Sequence, residues 1–427
     1  MRKIFLTAII FLLSFQTCAA VSDEEFDAAE MRFMCAICSF GAYSDDKSVW
    51  LRSALTSRGC QVEKLSQSTN RADAKVFLIS KDNKKILTIA GTESFKDIEV
   101  DFRTDRVPLN SDTPIQTTGK KAGDEIFVHR GFRDYADVIL KDGLIERLKN
   151  SLEQNPDETL YLTGHSLGGS VATIMGIRLI EAGVDKNRFK VITFAAPAIG
   201  SRALADEYKD KLDLTRVVIK GDIIESTTRA LGFKEFGNVI KWEPAGSTTQ
   251  NEHKMAVYLD CAIRDYYSAG GDLREDMLEQ VNASIYVAPI LIAEKHFKSS
   301  DAKIIVNVLN DSILNHFGHA ILAKPMSIDI NEKKLFEADF DAEIDSAVAA
   351  AKESGCKFIV FRVLHAKKIR DSRSGERHVT LEETVFNADG FPLLMQTSGS
   401  STANLTLIEA ALSAQEVLNE AAKDTFK

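Results

Sequence analysis

The stretch YLTGHSLGGS, Tyr161–Ser170, decides the fold. Apolar residues at alternate positions lead into it, in ETLYLTG (158–164), and read as a strand. Ser166 then stands between Gly164 and Gly168. The run GSVATIMGIRLIEAG (169–183) follows and reads as a helix ended by Gly183. Gly-x-Ser-x-Gly between a strand and a helix is the nucleophile-elbow pattern. A hydroxyl that projects from so sharp a turn takes a strained backbone, and the neighbours two residues away come too close for side chains. The helix N-terminus offers free amides to negative charge. Ser166 therefore reads as a nucleophile; the competing reading is a turn serine.

Outward from the elbow, strand-like and helix-like segments alternate from Val76 onward. KVFLIS (75–80) and KKILTIAG (84–91) read as strands joined by the turn Lys81–Lys84. RDYADVILKDGLIERLKNSLEQ (133–154) has helical spacing, and RFKVITFAAP (188–197) and TRVVIKG (215–221) read as further strands. This alternation predicts an α/β fold, a mostly parallel sheet with helices on both faces. The block runs to about Gly270–Gly271.

A second series then begins. SIYVAPILIA (284–293) reads as a strand and DAKIIVNVLNDSILNHFGHAIL (301–322) as a helix. FDAEIDSAVAAAKESG (340–355) reads as a helix and CKFIVFRVLHAKKIR (356–370) as a long strand. ERHVTLEETVFNADG (376–390) and FPLLMQTSGSS (391–401) read as a hairpin around Asp389-Gly390, and TLIEAALSAQEVLNEAAK (406–423) as a closing helix. This half has apolar residues enough for a core of its own. The expected organisation is a leader over 1–20, a first domain over 21–280, and a smaller separate α/β domain over 281–427.

The leader reading rests on Met1-Arg2-Lys3, the apolar run Ile4–Phe15 and the small residues that end at Ala20. That order is a secretory signal, with cleavage expected after Ala20 and a secreted or periplasmic destination. Its apolar core is shorter than the roughly 20 residues of a membrane span. An anchor through a lipid-modified Cys18 is the alternative. Loss of Arg2 and Lys3 makes the formal charge of −9 two units more negative, which argues against nucleic acid as a partner. Cys35, Cys38, Cys60, Cys261 and Cys356 remain, an odd number, so one at least is unpaired within the chain. Cys35-x-x-Cys38 lies in the apolar run MRFMCAICSFGAY (31–43), without the further ligands of a zinc site, and reads as small core residues. His316 and His319 lie one helical turn apart, but no third ligand accompanies them. No metal and no organic cofactor is expected.

A serine hydroxyl is a poor nucleophile without a base. In elbow folds an acid and then a histidine follow the serine in chain order. His129 and His165 precede Ser166, and five others lie in the second half, so His253 is the base by elimination. The acid belongs past the next strand but one, where TRVVIKGDII supplies Asp222, with Glu225 as a nearby competitor. Its expected work is to hold the His253 tautomer. An oxyanion needs two donors. Leu167, the residue after the serine, offers one amide; Thr92, at the strand end of ILTIAGTESF (86–95), offers the other.

With these residues assembled, the first domain resembles the fungal-type (class 3) lipases of the α/β-hydrolase fold. The resemblance is carried by IAGTESFKD, VHRGFRDY, TGHSLGGSVAT, VITFAAPAIG, RVVIKGDII and His253, over roughly residues 30 to 265. It implies a lipase-type esterase with Ser166, Asp222 and His253 as triad and Thr92 with Leu167 as oxyanion hole. One departure is Ala90, where the family commonly has arginine before the Gly-Thr pair. The family also implies a lid, here ESFKDIEVDFRTDRVPLN (93–110), with Phe95, Ile98 and Phe102 on one apolar face; an ordinary surface helix is the equal alternative. The second domain is similar to a family of small bacterial lipoproteins of unknown function, on residues 349–401, and this suggests a bacterial envelope context.

The leading expectation is a hydrolase of lipid carboxylic esters that acts at a membrane or lipid-droplet surface. Phospholipase A1, lysophospholipase or acyltransferase activity is the alternative within enzymes. A binding or scaffolding protein with a relic hydrolase domain is the alternative outside them. Protein partners of the second domain stay unassigned.

Overall fold

Seven strands lie side by side in chain order in the first sheet of the computed structural model, which describes residues 22–43, 55, 58–65, 67–68, 73–91, 106–110, 125–224, 232–246, 250–271, 283–370, 372 and 375–426. They are β1 (Gln61–Lys64), β2 (Val76–Lys81), β3 (Lys84–Ile89), β4 (Thr159–His165), β5 (Phe189–Phe194), β6 (Leu214–Ile219) and β7 (Asn238–Trp242). β1, β2 and β3 pair antiparallel, and the rest pair parallel. The two-residue turn between β2 and β3 holds Asp82 at φ 51°, a conformation that Asp tolerates through its short polar side chain. From β4 to β6 the strands are buried almost without interruption, as parallel strands covered on both faces must be. This is the arrangement expected of an α/β-hydrolase.

Helices α1 (Asp23–Gly41), α2 (Arg130–Leu140), α3 (Leu144–Gln154), α4 (Leu167–Glu181), α5 (Arg202–Tyr208) and α6 (Met255–Tyr266) accompany this sheet. The segment read as one helix over 133–154 is two, α2 and α3, with a break at Lys141–Gly143. α2, α3 and α4 close one face over a core that includes Leu87, Phe132, Leu148, Leu162 and Ile174. α1 and α6 close the other. Ser22 caps α1, its hydroxyl accepting from the Glu25 amide at 3.2 Å, and three acidic residues fill the first turn. Every residue from Phe33 to Gly41 is buried, Cys35 and Cys38 among them. A helix buried on all sides reads as an unbroken apolar run, which is the pattern MRFMCAICSFG shows. The five described cysteines are buried free thiols.

The second half forms another sheet. The run read as one strand over 284–293 is split at Ala288-Pro289 into β8 (Ile285–Val287) and β9 (Ile290–Ile292). Helix α7 (Ser299–Phe317) ends at Gly318, so the last residues read as helix form β10 (Ala320–Leu322) instead. β11 (Ser327–Asp329), α8 (Glu332–Glu337) and α9 (Asp341–Glu353) lead to the long β12 (Phe358–Lys368), hairpin strands β13 (Arg377–Asn387) and β14 (Pro392–Ser401), and α10 (Leu407–Ala422). β12 pairs parallel with β8 near its start and with β9 farther along, and antiparallel with β13 over its full length. One apolar cluster joins the halves: Phe33, Ile37 and Ile263 from α1 and α6 belong to it together with Ile305 and Leu309 of α7 and Ile408 of α10. Arg264 on α6 donates to Asp301 on α7 at 2.9 Å. Among the described residues no helix is long and apolar enough to cross a membrane.

Candidate active site

Ser166 sits between β4 and α4 at φ 55°, ψ −125°, a conformation that costs an L-residue on the order of 1–3 kcal/mol. The glycines around it are demanded by contact. A Cβ on Gly164 would lie 2.4 Å from the Gly168 carbonyl carbon, and one on Gly168 would lie 2.2 Å from the Ile89 oxygen. The elbow is thus clamped between its own helix and the end of β3. Its register is fixed by the Ser166 amide, which donates to Phe194 on β5 at 2.9 Å.

The structure brings the other two expected residues to this serine. His253 precedes α6 and is held by its own amide, which donates to the Asn251 side chain at 2.9 Å. Its Nε2 lies 3.1 Å from Ser166 Oγ. Its Nδ1 lies 3.0 and 3.1 Å from the two oxygens of Asp222. A carboxylate only accepts, so Nδ1 carries the proton and Nε2 is left to accept from the serine hydroxyl. Ser166 and His253 are both buried, at 1% and 8% exposure. Asp222 follows β6, as expected. Burial raises its pKa, but the hydrogen bond and charge of His253, the Ile224 amide and the Tyr258 hydroxyl outweigh burial and hold the carboxyl below its usual range. It stays ionised wherever His253 can act as a base. The competitor Glu225 lies outside the described residues.

Three further residues brace the site and were not singled out in the sequence. Tyr258 on α6 donates to Asp222 at 2.8 Å and accepts from the Ile219 amide at 3.1 Å, tying acid, strand end and histidine helix together. His165, inside the elbow, is 2.8 Å through Nε2 from the His253 backbone carbonyl. That carbonyl can only accept, so His165 Nε2 donates, and its Nδ1 accepts from the Tyr43 hydroxyl. The signal available in the sequence is the histidine of GHSLG, which precedes the serine and so does not fit the place of the base.

Burial, aided by the charge of His253, lowers His165 to about 3. An unfolded histidine titrates near 6.5. Between those values the unfolded chain binds more protons than the folded one, so stability is fully present above about pH 6.5 and falls as the pH drops toward 3, on the order of 1.4 kcal/mol per pH unit. Denaturant titrations across that window are expected to show this acid limb, flattened in His165→Gln. An equal slope in both proteins would remove His165 as its source.

Leu167 opens α4, where helical geometry leaves its amide without an intrahelical acceptor beside Ser166. Ala90 and Gly91 lie against the elbow: a Cβ on Gly91 would be 2.6 Å from the His165 carbonyl. Thr92 lies outside the described residues, as does the segment read as a lid apart from residues 106–110. His316 is engaged with Ser312 and Asn419, and among the described residues no group of three or more His, Cys, Asp or Glu could hold a metal. A buried hydroxyl, an imidazole poised to accept its proton and an ionised acid behind it can perform acyl transfer through a covalent intermediate.

The family model Lipase (class 3) matches residues 86–230. The secreted mono- and diacylglycerol lipase A of Penicillium cyclopium is 37% identical over 67 residues, 16% of this chain and 21% of that protein. The chloroplastic phospholipase A1 PLIP1 of Arabidopsis thaliana is 31% identical over 105 residues, 23% of this chain and 16% of that protein. The matched segments thus span about a fifth of the length of these relatives. Among solved structures, a Rhizomucor miehei triacylglyceride lipase is 19% identical with a TM-score of 0.42, covering 52% of this chain and 82% of that one.

Proposed function

Proceeding from a chain whose first half carries a domain of the class 3 lipase family, we propose that this protein hydrolyses carboxylic esters of lipids, acylglycerols first among them. The observation that carries the reading is the continuous relay from Ser166 Oγ through His253 to Asp222, at 3.1 and 3.0 Å. In this reading Ser166 Oγ attacks the acyl carbonyl while His253 Nε2 takes its proton. The carbonyl oxygen becomes an oxyanion held by the Leu167 amide and by a second donor, Thr92. His253 then protonates the departing alcohol, leaving an acyl ester on Ser166. Water, deprotonated by the same imidazole, attacks that ester and releases a fatty acid. Asp222 keeps its charge throughout and stabilises the imidazolium.

The acylglycerol choice is supported by the printed activity of the Penicillium relative and the phospholipid alternative by that of the Arabidopsis one. Residues 1–20 supply the export signal in this reading, and the lipid surface is where substrate is met. The test combines a fluorophosphonate probe with a lipid panel. One adduct per chain and fatty-acid release from mono- and diacylglycerol emulsions are expected. Absence of any adduct would leave the relic-scaffold reading standing. Release from phosphatidylcholine alone would move the assignment to phospholipase A1.

A further inference from the structure

The second sheet carries a cleft remote from the relay in composition and character. Its volume is about 430 Å3, and Lys295, Lys298, Lys368 and Arg377 all line it. Such a concentration of cations is conspicuous in a chain with a formal charge of −9. Lys295 is paired with Glu332 at 2.8 Å, and Arg377 donates to the His296 carbonyl, with no ion pair to a carboxylate among the described residues. Lys298 and Lys368 are exposed, and among the described residues neither has an acidic partner. Of the acids near by in the chain, Asp301 pairs with Arg264 and Glu409 belongs to the capping box at Thr406.

One helix start adds to the field, since the other in the wall is closed by the Glu409 carboxylate of its capping box. Lys298 is the N-cap of α7 and Thr406 that of α10, and both line the cleft. The first turn of α7 has no side-chain cap, so its free amides and the positive end of its dipole are available to an anion. Phe297, Leu405 and Leu407 complete the wall with apolar surface, which suits an organic phosphate better than a bare ion. Three cations without a carboxylate partner among the described residues match a doubly charged group.

We propose that this cleft binds a phosphate monoester, its phosphate held by Lys298, Lys368 and Arg377 and its carbon skeleton against the apolar wall. The site is separate from the acyl chemistry, though one strut joins them. Gln250, three residues before His253, donates to the carbonyl of Thr402 in the cleft wall at 2.8 Å.

The experiment titrates the purified full-length mature chain with glycerol 3-phosphate by calorimetry, and with phosphatidylcholine vesicles that contain or lack phosphatidic acid by sedimentation. Saturable binding of glycerol 3-phosphate supports the site with a soluble ligand; binding only to vesicles with phosphatidic acid supports it with a lipid headgroup. The double variant Lys298→Ala/Lys368→Ala is expected to bind about tenfold or more weakly. Both lysines are exposed, so its melting temperature and its fluorophosphonate labelling should match the wild type. Wild-type binding to neither probe, or equal binding by the folded double variant, overturns the proposal. Labelling of Ser166 is read separately, so failure here leaves the hydrolase reading intact.

Discussion

Ser166→Ala is expected to lower ester turnover by about 10⁵–10⁶-fold and to abolish fluorophosphonate labelling. The Ser166 hydroxyl is the nucleophile in the proposed reaction. Its Oγ is the atom 3.1 Å from His253 Nε2, and it is all but sealed from solvent. Alanine accepts the φ of 55° at the same cost as serine, so the elbow backbone has no reason to rearrange. The loss to the fold is one hydrogen bond, about 1 kcal/mol. A melting temperature within a few degrees of the wild type should therefore accompany the collapse of activity. Undiminished turnover in a folded Ser166→Ala chain would dismiss the catalytic assignment.

Gly168→Ala should be far more damaging to the fold than its single methyl suggests. The new carbon would meet Ile89 O at 2.2 Å, the Ala90 carbonyl carbon at 3.0 Å and the Gly91 nitrogen at 3.1 Å. All three are backbone atoms, so no side chain can swing away. Either α4 or the end of β3 must move, and each is locked into the centre of the sheet. We expect a loss of about 3–5 kcal/mol, seen as a lower denaturant midpoint or as insoluble protein. Any folded fraction should turn over roughly 10²–10³-fold more slowly, because separating β3 from the helix start disturbs the Leu167 donor region. Wild-type melting and turnover would show that these backbones do not meet as described.

Much of this was legible because it rests on local chemistry. The elbow announces itself through residues two apart on either side of Ser166, and the strands β3 to β6 through their apolar runs. His253 followed from position alone. Other features depend on partners that sequence does not display. DAKIIVNVLNDSILNHFGHAIL reads as one helix because Ala320–Leu322 is as apolar as what precedes it. Gly318, at φ 57°, stops α7, and pairing with β8 then makes those residues a strand. β7 escaped notice because an edge strand that is only half-buried has no apolar alternation to show. Arg362 looks like a surface residue within FIVFRVLH, yet it is fully buried and donates to Gln415 on α10 at 3.0 Å. The roles of His165 and Tyr258 were hidden for the same reason: their work is to hold His253 and Asp222, and that is a fact of three dimensions.

The apolar cluster shared by the two sheets bears on how this protein can be divided. α1 and α6 touch the hydrolase sheet with one side and α7 and α10 with the other. A chain shortened after α6 would turn the outer flank of both helices into wet hydrocarbon, directly beneath the loop that presents the imidazole. The C-terminal half therefore serves as upholstery for the helix that follows His253, and the two halves are expected to melt in one transition.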